Sequence, residues 1–209
     1  MSHLSLRAVE LFKEGKRLLG PIDCEIEAGR PVVLMGPSGS GKSSLLNWLI
    51  GALPPGFMAR GQVLLDGVDI GHLPTQARRL GILFQDDLLF PHLSVAENLG
   101  FGLPAGLPAS ERLARIEAGL AEAELPGLGP RDPASLSGGE RARIALMRTL
   151  LAEPRALLLD EPFAKLDVAL RGRFRSLVLE RAAARNLPVL LVSHDPADSM
   201  VPGGTTISL

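Results

Sequence analysis

The sequence has 209 residues, enough for one α/β domain with a smaller subdomain. Lysine and arginine total 22 and aspartate and glutamate total 23, so the charge balance gives no indication of nucleic acid as a partner. No stretch approaches the roughly 18 apolar residues of a membrane span, and the first residues lack a signal-peptide pattern. Because Cys24 is the single cysteine, an internal disulfide is excluded, and we expect a cytoplasmic chain that reaches a membrane only through a partner.

The N-terminal part of the chain predicts an antiparallel sheet followed by a buried strand. Residues 4–9 and 22–26 alternate polar and apolar side chains, which is the period of a strand with one exposed face. Phe12 falls in the loop that we expect between these two strands. Residues 32–35 are all apolar and favour a strand that is buried on both faces.

A glycine-rich sequence comes directly after this buried strand and is followed by apolar residues at helical spacing. It reads Gly36-Pro37-Ser38-Gly39-Ser40-Gly41-Lys42-Ser43. The pattern G-x-x-x-x-G-K-S between a strand and a helix is typical of a phosphate-binding loop. Glycine lets backbone N–H groups turn toward the β- and γ-phosphates, and the helix N-terminus adds its positive dipole end. Lys42 would neutralise phosphate charge and the Ser43 hydroxyl would bind Mg²⁺; the alternative, a turn that binds nothing, fits this context poorly.

The rest of the chain predicts short core elements interrupted by a segment of different composition. The predicted core elements are strands at residues 62–65, 82–84, 156–159 and 188–192 and helices at residues 138–152 and 168–186. Between residues 86 and 136, prolines and glycines separate helical stretches, one of which Ser110 would cap. We interpret residues 86–136 as a helical subdomain inserted into a core of residues 1–85 and 137–209, all within a single domain.

Buried apolar strands that alternate with helices predict a mostly parallel sheet, so the fold class is α/β. Ligands of such sheets bind at the carboxyl ends of the strands. Gly41, Asp160 and Ser193 all follow predicted strands at that end. We therefore expect the ligand at the end of the sheet where these three positions occur.

Asp160 and Glu161 form a carboxylate pair at the end of a buried strand. Adjacent side chains point in different directions, so one carboxylate can hold Mg²⁺ while the other addresses a different atom. Asp160 suits the metal, and Glu161 suits a general base that activates water for attack on the γ-phosphorus. A surface Asp-Glu-Pro turn is the alternative, which the phosphate-binding loop upstream disfavours.

A second motif, Leu136-Ser137-Gly138-Gly139-Glu140, precedes a predicted helix and permits two interpretations. Ser137 and Glu140 have the spacing of a capping box. Paired glycines in a first helical turn, however, each cost about 1 kcal/mol relative to alanine, and a cap does not need them. Glycines there are favoured if a ligand must approach the backbone and the helix N-terminus closely.

Together these motifs resemble the ATP-binding-cassette (ABC) ATPases, which have a P-loop NTPase fold with an N-terminal antiparallel β subdomain and an inserted helical subdomain. The matching segments, in the order of the family, are Gly36–Ser43, Gln85, Leu136–Glu140, Leu157–Pro162, Leu166-Asp167 and His194. The resemblance implies an ATPase with ATP and Mg²⁺ as ligands that works as a head-to-tail homodimer. Each ATP would lie between the phosphate-binding loop of one copy and Ser137 and Gly139 of the other.

The resemblance also implies roles for individual residues. Catalytic roles go to Glu161, His194 and Gln85, and Mg²⁺ contacts to Ser43, Gln85 and Asp160. ATP contacts go to Phe12, Gly36, Pro37, Ser38, Gly39, Ser40, Gly41, Lys42, Ser43, Ser44, Ser137 and Gly139. Phe12 is the candidate for stacking on adenine, although the chain has no Tyr, the residue often found there. Glu140 in place of the commoner Gln, and Ala164-Lys165 in place of Ser-Ala, are mild departures that should not abolish hydrolysis.

The segment from Gln85 to Leu99 is similar to the corresponding segment of bacterial importer ATPases, where it receives a helix of the membrane subunit. That resemblance favours an importer of the polyamine, ferric-iron, sulfate and thiamine group. The shortness of the chain resembles that of subunits described as thiamine-type importers, which would lie on the inner face of the cell membrane. Its partners would be transmembrane permease subunits and a periplasmic or extracellular solute-binding protein. An exporter-type ABC ATPase and a non-transport ABC ATPase are the alternatives; the short interval between Lys42 and Ser137 lacks the long coiled coils of DNA-repair members.

Overall fold

The computed structural model describes residues 2–199 and 201–209. The chain forms two compact units. Unit 1 comprises Met1–Ile82, Arg155–Glu161 and Leu179–Leu209, and unit 2 comprises Leu83–Pro154 and Pro162–Val178. No helix in the described ranges is both long enough and apolar enough to cross a membrane. The predicted division into a core and an inserted subdomain stays a prediction.

A four-stranded antiparallel sheet forms the N-terminal part of unit 1, in the order β2-β1-β4-β5. Its strands are β1 (His3–Lys13), β2 (Lys16–Glu27), β4 (Phe57–Leu65) and β5 (Val68–Asp69). The predicted alternation is present only in part: Leu4, Leu6, Val9 and Leu11 of β1 are buried and Arg7 is exposed, but Ser5 is buried as well and Ala8 is exposed beside Arg7. Phe12 does not lie in a loop as predicted: it is part of β1, because the hairpin turn comes only after Lys13.

A five-stranded sheet carries the rest of the core, in the order β6-β7-β8-β3-β9. Its strands are β3 (Val32–Met35), β6 (Leu80–Leu83), β7 (Ala156–Asp160), β8 (Val189–Ser193) and β9 (Thr205–Ser208). The pairings of β7 with β8, β8 with β3 and β3 with β9 are parallel, which confirms the predicted α/β class. Every residue of β7 and β8 is buried, as their apolar sequences predict. β9 was not predicted, because its sequence is polar; it forms by pairing with β3.

The helices are α1 (Lys42–Leu49), α2 (Thr75–Arg78), α3 (Val95–Gly102), α4 (Ala109–Glu122), α5 (Gly138–Leu151) and α6 (Val168–Ala184). In unit 2, α3, α4 and α5 pack against one another through buried side chains such as Leu99, Leu120 and Leu146. The predicted Ser110 cap is wrong, because α4 begins at Ala109 with Pro108 at its N-cap. Two 3₁₀ turns, Pro133–Ser135 and Pro196–Ser199, complete the secondary structure of the described residues.

Candidate nucleotide-binding site

The phosphate-binding loop connects β3 to α1 within unit 1. Gly39 and Gly41 have φ values of 83° and 93°, a left-handed conformation that side chains with a Cβ rarely adopt. A Cβ on Gly41 would also lie 3.0 Å from the side chain of Leu18 in β2. The glycines are therefore required by the backbone itself, and α1 begins directly after Gly41 with its N–H groups at the loop.

Lys42 is the first residue of α1 and its side chain is only 4% exposed. Its ammonium group donates hydrogen bonds to the carbonyl oxygens of Gly36 and Pro37, both at 2.8 Å. The Nζ atom also lies 4.0 Å from Oε1 of Glu161. The loop thus holds a buried cation against its own carbonyl groups, at the position where phosphate charge would be neutralised.

Ser43 and Asp160 meet directly, although 117 residues separate them in the sequence. The Ser43 hydroxyl donates a hydrogen bond of 2.8 Å to Oδ1 of Asp160, which ends β7. Burial raises the pKa of the Asp160 carboxyl; the hydrogen bond from Ser43 and the charge of Lys42 oppose this effect, and Glu161 adds to it. A hydroxyl and a carboxylate are hard oxygen donors, so this pair fits Mg²⁺, which usually takes one or two carboxylates and completes its shell with phosphate and water.

Glu161 and His194 form the second polar pair at this edge of the sheet. Nδ1 of His194 lies 2.8 Å from Oε1 of Glu161, within hydrogen-bond distance. Glu161 has φ of 46°, an uncommon conformation for a residue with a side chain, and its N–H donates to Val192 O at 3.0 Å. β8 therefore holds the backbone of Glu161, and His194 holds its carboxylate.

The turn that carries His194 is itself held by hydrogen bonds between Ser193, whose place at the strand end was predicted, and Asp195 and Asp198, which were not predicted to take part. The Ser193 hydroxyl donates to Oδ2 of buried Asp198 at 2.7 Å and accepts from the N–H of Asp195 at 3.0 Å. The available signal was a serine at the end of an otherwise apolar strand, with an acidic residue five positions later. A buried hydroxyl requires a partner, and this one lies in the following 3₁₀ turn.

A cavity of about 470 Å³ opens beside the loop in unit 1. It is lined by Arg17, Leu18, Leu19, Gly20, Pro21, Ile22, Asp23, Ser40, Ile207, Ser208 and Leu209. Phe12 is not among the lining residues. The guanidinium of Arg60 lies 5.1 Å from the centre of the Phe12 ring, so one face of this ring is already covered.

The remaining predicted site residues, Gln85, Ser137 and Gly139, belong to unit 2. Gln85 is exposed just after β6. Ser137 is the N-cap of α5 and forms the capping box: its N–H and hydroxyl both donate to Oε2 of Glu140 at 2.7 Å. These hydrogen bonds to Ser137 lower the pKa of the Glu140 carboxyl.

The glycines of this motif are not explained by the cap or by crowding within the chain. Neither Gly138 nor Gly139 has a positive φ. A Cβ on Gly138 would find its nearest neighbour 3.9 Å away at Arg141, and one on Gly139 would lie 3.6 Å from Leu170, an ordinary contact. The chain itself would thus accept side chains at both positions.

Two helical residues of unit 2 hold the segment that follows Gln85. Asn98 is fully buried; its amide accepts from the N–H of Phe90 at 2.8 Å and donates to Phe90 O and Leu93 O at 3.1 Å. Arg148 donates to Leu88 O at 2.9 Å and lies over the Phe90 ring. Leu88 has φ of 46° and is 56% exposed, so this segment presents an apolar side chain to the outside.

Comparison with known proteins decides the family. The family described as ABC transporter matches residues 19–164, which is most of the chain. The chain belongs to the ABC transporter family, as an ATP-binding protein. This confirms the resemblance and the P-loop NTPase fold that it implied, and membership of the family implies ATPase activity.

Individual relatives of this ABC protein support the same assignment. The chain is 48% identical over 202 residues to an uncharacterized ABC transporter ATP-binding protein, YnjD, of Escherichia coli K12, covering 95% of this chain and 93% of the relative. It is 47% identical over 173 residues to the thiamine import ATP-binding protein ThiQ of Cereibacter sphaeroides, covering 82% and 74%. It is 40% identical over 202 residues to the sulfate/thiosulfate import ATP-binding protein CysA of Caulobacter vibrioides, covering 94% of this chain and 59% of that protein.

Proposed function

We propose that this ABC protein is the ATP-hydrolysing subunit of a bacterial membrane importer. The observation that carries the proposal is the convergence of Lys42, Ser43, Asp160, Glu161 and His194 at one edge of unit 1, within the distances given above. A buried cation, an oxygen pair suited to Mg²⁺ and a carboxylate positioned by a histidine are the groups that phosphoryl transfer to water requires.

In this proposal the loop binds the triphosphate and its neighbours carry the chemistry. The N–H groups of Gly36 and of residues 38–44 and the Lys42 ammonium bind phosphate oxygens, with Lys42 exchanging its two carbonyl partners for them. Ser43 and Asp160 hold Mg²⁺, which neutralises charge on the phosphates when bound. Glu161 accepts a proton from the attacking water, and His194 keeps the carboxylate oriented and contacts the γ-phosphate. Gln85 would sense the γ-phosphate.

We infer that ATP binds in a composite site between two copies arranged head to tail. Ser137 and Gly139 of the second copy would contact the γ-phosphate at the N-terminus of α5. This proposal is supported by the space around Gly138 and Gly139, where their own chain would accept side chains. Glycine at these positions is therefore explained by a group outside the chain that approaches the backbone closely. The Ser137 hydroxyl would exchange the Glu140 carboxylate for a phosphate oxygen.

Transmembrane permease subunits would contact the segment from Gln85 to Leu99. The exposed side chains of Leu88 and Phe101, 56% and 66% exposed, offer an apolar surface beside this segment. The protein would then lie on the cytoplasmic face of the membrane, in a complex that also includes a solute-binding protein. Relatives at similar identity are named for thiamine and for sulfate/thiosulfate, so we assign the choice of solute to the partners rather than to this subunit.

Affinity capture of the tagged protein from detergent-solubilised native membranes tests the transport role. A multi-span membrane protein in near-equal amount is the expected result, and a solute-binding protein in the same complex would make it an importer. Capture of a membrane partner without a solute-binding protein, together with outward transport in vesicles, would favour an exporter. Recovery of soluble partners, ribosomes or DNA alone would contradict the transport role but leave the ATPase proposal standing.

A further inference from the structure

Arg78 is a buried cation in unit 1 that the proposed chemistry does not use. It is the last residue of α2 and only 5% exposed. Its guanidinium donates to Trp48 O and Leu49 O at 2.7 Å, to Leu73 O at 2.8 Å and to the carbonyl of Gly71. All four partners are backbone carbonyl oxygens, so the side chain joins two segments of backbone.

One of these segments is the C-terminal end of the helix that begins at the phosphate-binding loop. Trp48 and Leu49 are the last residues of α1, and Lys42 is its first. An eight-residue α-helix is about 12 Å long, so the guanidinium and the loop lie at opposite ends of two helical turns. Because Leu45, Leu46 and Leu49 are fully buried, the helix should move as a rigid body.

The residues that follow α1 pack closely against this guanidinium. Gly51 has φ of 80°, and its N–H donates to Trp48 O at 2.9 Å, while the N–H of Ala52 donates to Asn47 O at 2.8 Å. This is the pattern of a glycine C-cap, which already satisfies carbonyl groups of the last turn. A Cβ on Gly51 would lie 3.0 Å from Cζ of Arg78, so the missing side chain also leaves room for the guanidinium.

Burying the cation costs free energy, since burial lowers the pKa of Arg78; the charge of Asp69 opposes this effect. The cap alone does not require it. A cation at the negative end of α1, however, stabilises the helix in the same sense as a phosphate at its positive end. The four hydrogen bonds also fix the helix end to residues 71–73.

We propose that Arg78 is a positioning residue for phosphate binding: it holds the C-terminal end of α1 against residues 71–73 and so keeps the N-terminal end, with Lys42 and Ser43, in the geometry that receives phosphate. The inference rests on the proposed role of the loop as the phosphate site. Arg78 does not contact the nucleotide; it acts through α1.

The test compares nucleotide and phosphate affinities in the purified full chain. The variants are Arg78→Ala, Arg78→Lys and Gly51→Ala; the last crowds the guanidinium without removing it and also strains the left-handed backbone of the cap. Arg155→Met is the matched control, because it removes the charge of an arginine in the same unit whose side chain pairs with Asp66, while the backbone N–H of Arg155 still donates to Arg79 O. Calorimetry well below each melting temperature gives Kd for ATP and for inorganic tripolyphosphate, a probe that needs only the loop.

We expect Kd for both probes to rise about tenfold in Arg78→Ala and Gly51→Ala, the scale of a partly buried charge at a helix terminus. Arg78→Lys should be weakened too, since an ammonium cannot form the same fork of hydrogen bonds. Methylguanidinium, but not methylammonium, should restore tripolyphosphate affinity to Arg78→Ala. The control should stay within about twofold of the wild-type Kd.

Unchanged affinities in folded variants, whatever their melting temperatures, would overturn the proposal and leave Arg78 a residue of stability alone. If Arg78→Ala does not fold, Arg78→Lys and Gly51→Ala decide by the same criterion. A wild-type protein that binds neither probe would instead remove the phosphate site on which the inference rests, so the two failures are distinguishable.

Discussion

Replacement of Glu161 by Gln separates binding of ATP from its hydrolysis. The substitution keeps the shape of the side chain and a possible hydrogen bond to His194, now 2.8 Å from Oε1, but removes the base. Loss of a positioned general base costs about 10²- to 10⁴-fold in rate, or about 3 to 5 kcal/mol of transition-state stabilisation. We expect kcat for ATP hydrolysis to fall by that factor.

The affinity of Glu161→Gln for ATP, in contrast, should not fall. The Glu161 carboxylate lies 4.0 Å from the Lys42 ammonium, where unit charges interact by about 4 kcal/mol at an effective dielectric constant of roughly 20. An ATP γ-phosphate would compete with this carboxylate for Lys42 and would be repelled by it. Glu161→Gln should therefore bind ATP as tightly as the wild type or more tightly, and should accumulate as an ATP-bound dimer.

Phosphate release under saturating Mg·ATP measures the turnover, and size-exclusion chromatography with light scattering measures the dimer. Glu27→Gln is the matched control, because Glu27 is an exposed glutamate of the same unit whose carboxylate pairs with exposed Arg30 at 3.4 Å. The control should keep wild-type turnover. Turnover of Glu161→Gln within a few-fold of the wild type would refute Glu161 as the base.

Three further predictions use other parts of the molecule. Lys42→Ala should lose ATP binding, measured by calorimetry, since it removes the 4%-exposed cation of the loop; retained tight binding would contradict the role of the loop. Ser137→Arg should abolish hydrolysis but leave binding of ATP to the monomer intact, because Ser137 would act on the ATP of the other copy; full activity would contradict the composite site. Burial, Glu25 and Asp23 raise the pKa of Cys24 from 9.0 to about 11, so iodoacetamide at pH 8 should alkylate the folded protein about 100-fold more slowly than the urea-unfolded chain. Equal alkylation rates would show that the thiol is not shielded. Because the pKa is higher in the folded state, the free energy of unfolding should fall as pH rises from 9 through 11.

Much of the core could be predicted because its signals are local. The all-apolar sequences of β7 and β8 can only be buried, and a glycine-rich loop between an apolar strand and a helix has few other uses. Since the carboxyl ends of parallel strands share one edge of a sheet, the proximity of Ser43 to Asp160 and of Glu161 to His194 follows from the order of the elements.

What could not be predicted depends on contacts between segments distant in the sequence. The polar strand β9 forms by pairing with the edge of β3, and no pattern in its own sequence predicts a strand. Phe12 was expected in a loop but lies in β1, whose pairing with β2 shifts register between Leu6 and Val9, between Val9 and Leu11 and between Leu11 and Phe12, and such irregularities interrupt the two-residue period that marks a strand. Ser110 was expected to cap a helix that in fact begins beside Pro108, since serine and proline both suit helix starts.

Residue types and their spacing are enough to predict the α/β class, the phosphate-binding loop and candidate residues beside it, because they set what these groups can do chemically. Three contacts could be known only from the tertiary structure. They are the carbonyl group of Gly36 that binds Lys42, the Asp198 carboxylate that accepts from Ser193, and the hydrogen bond from Arg78 to the C-terminal end of α1. The physical reason is that a buried polar group must find a partner, and the fold, not the local sequence, determines which partner comes within reach.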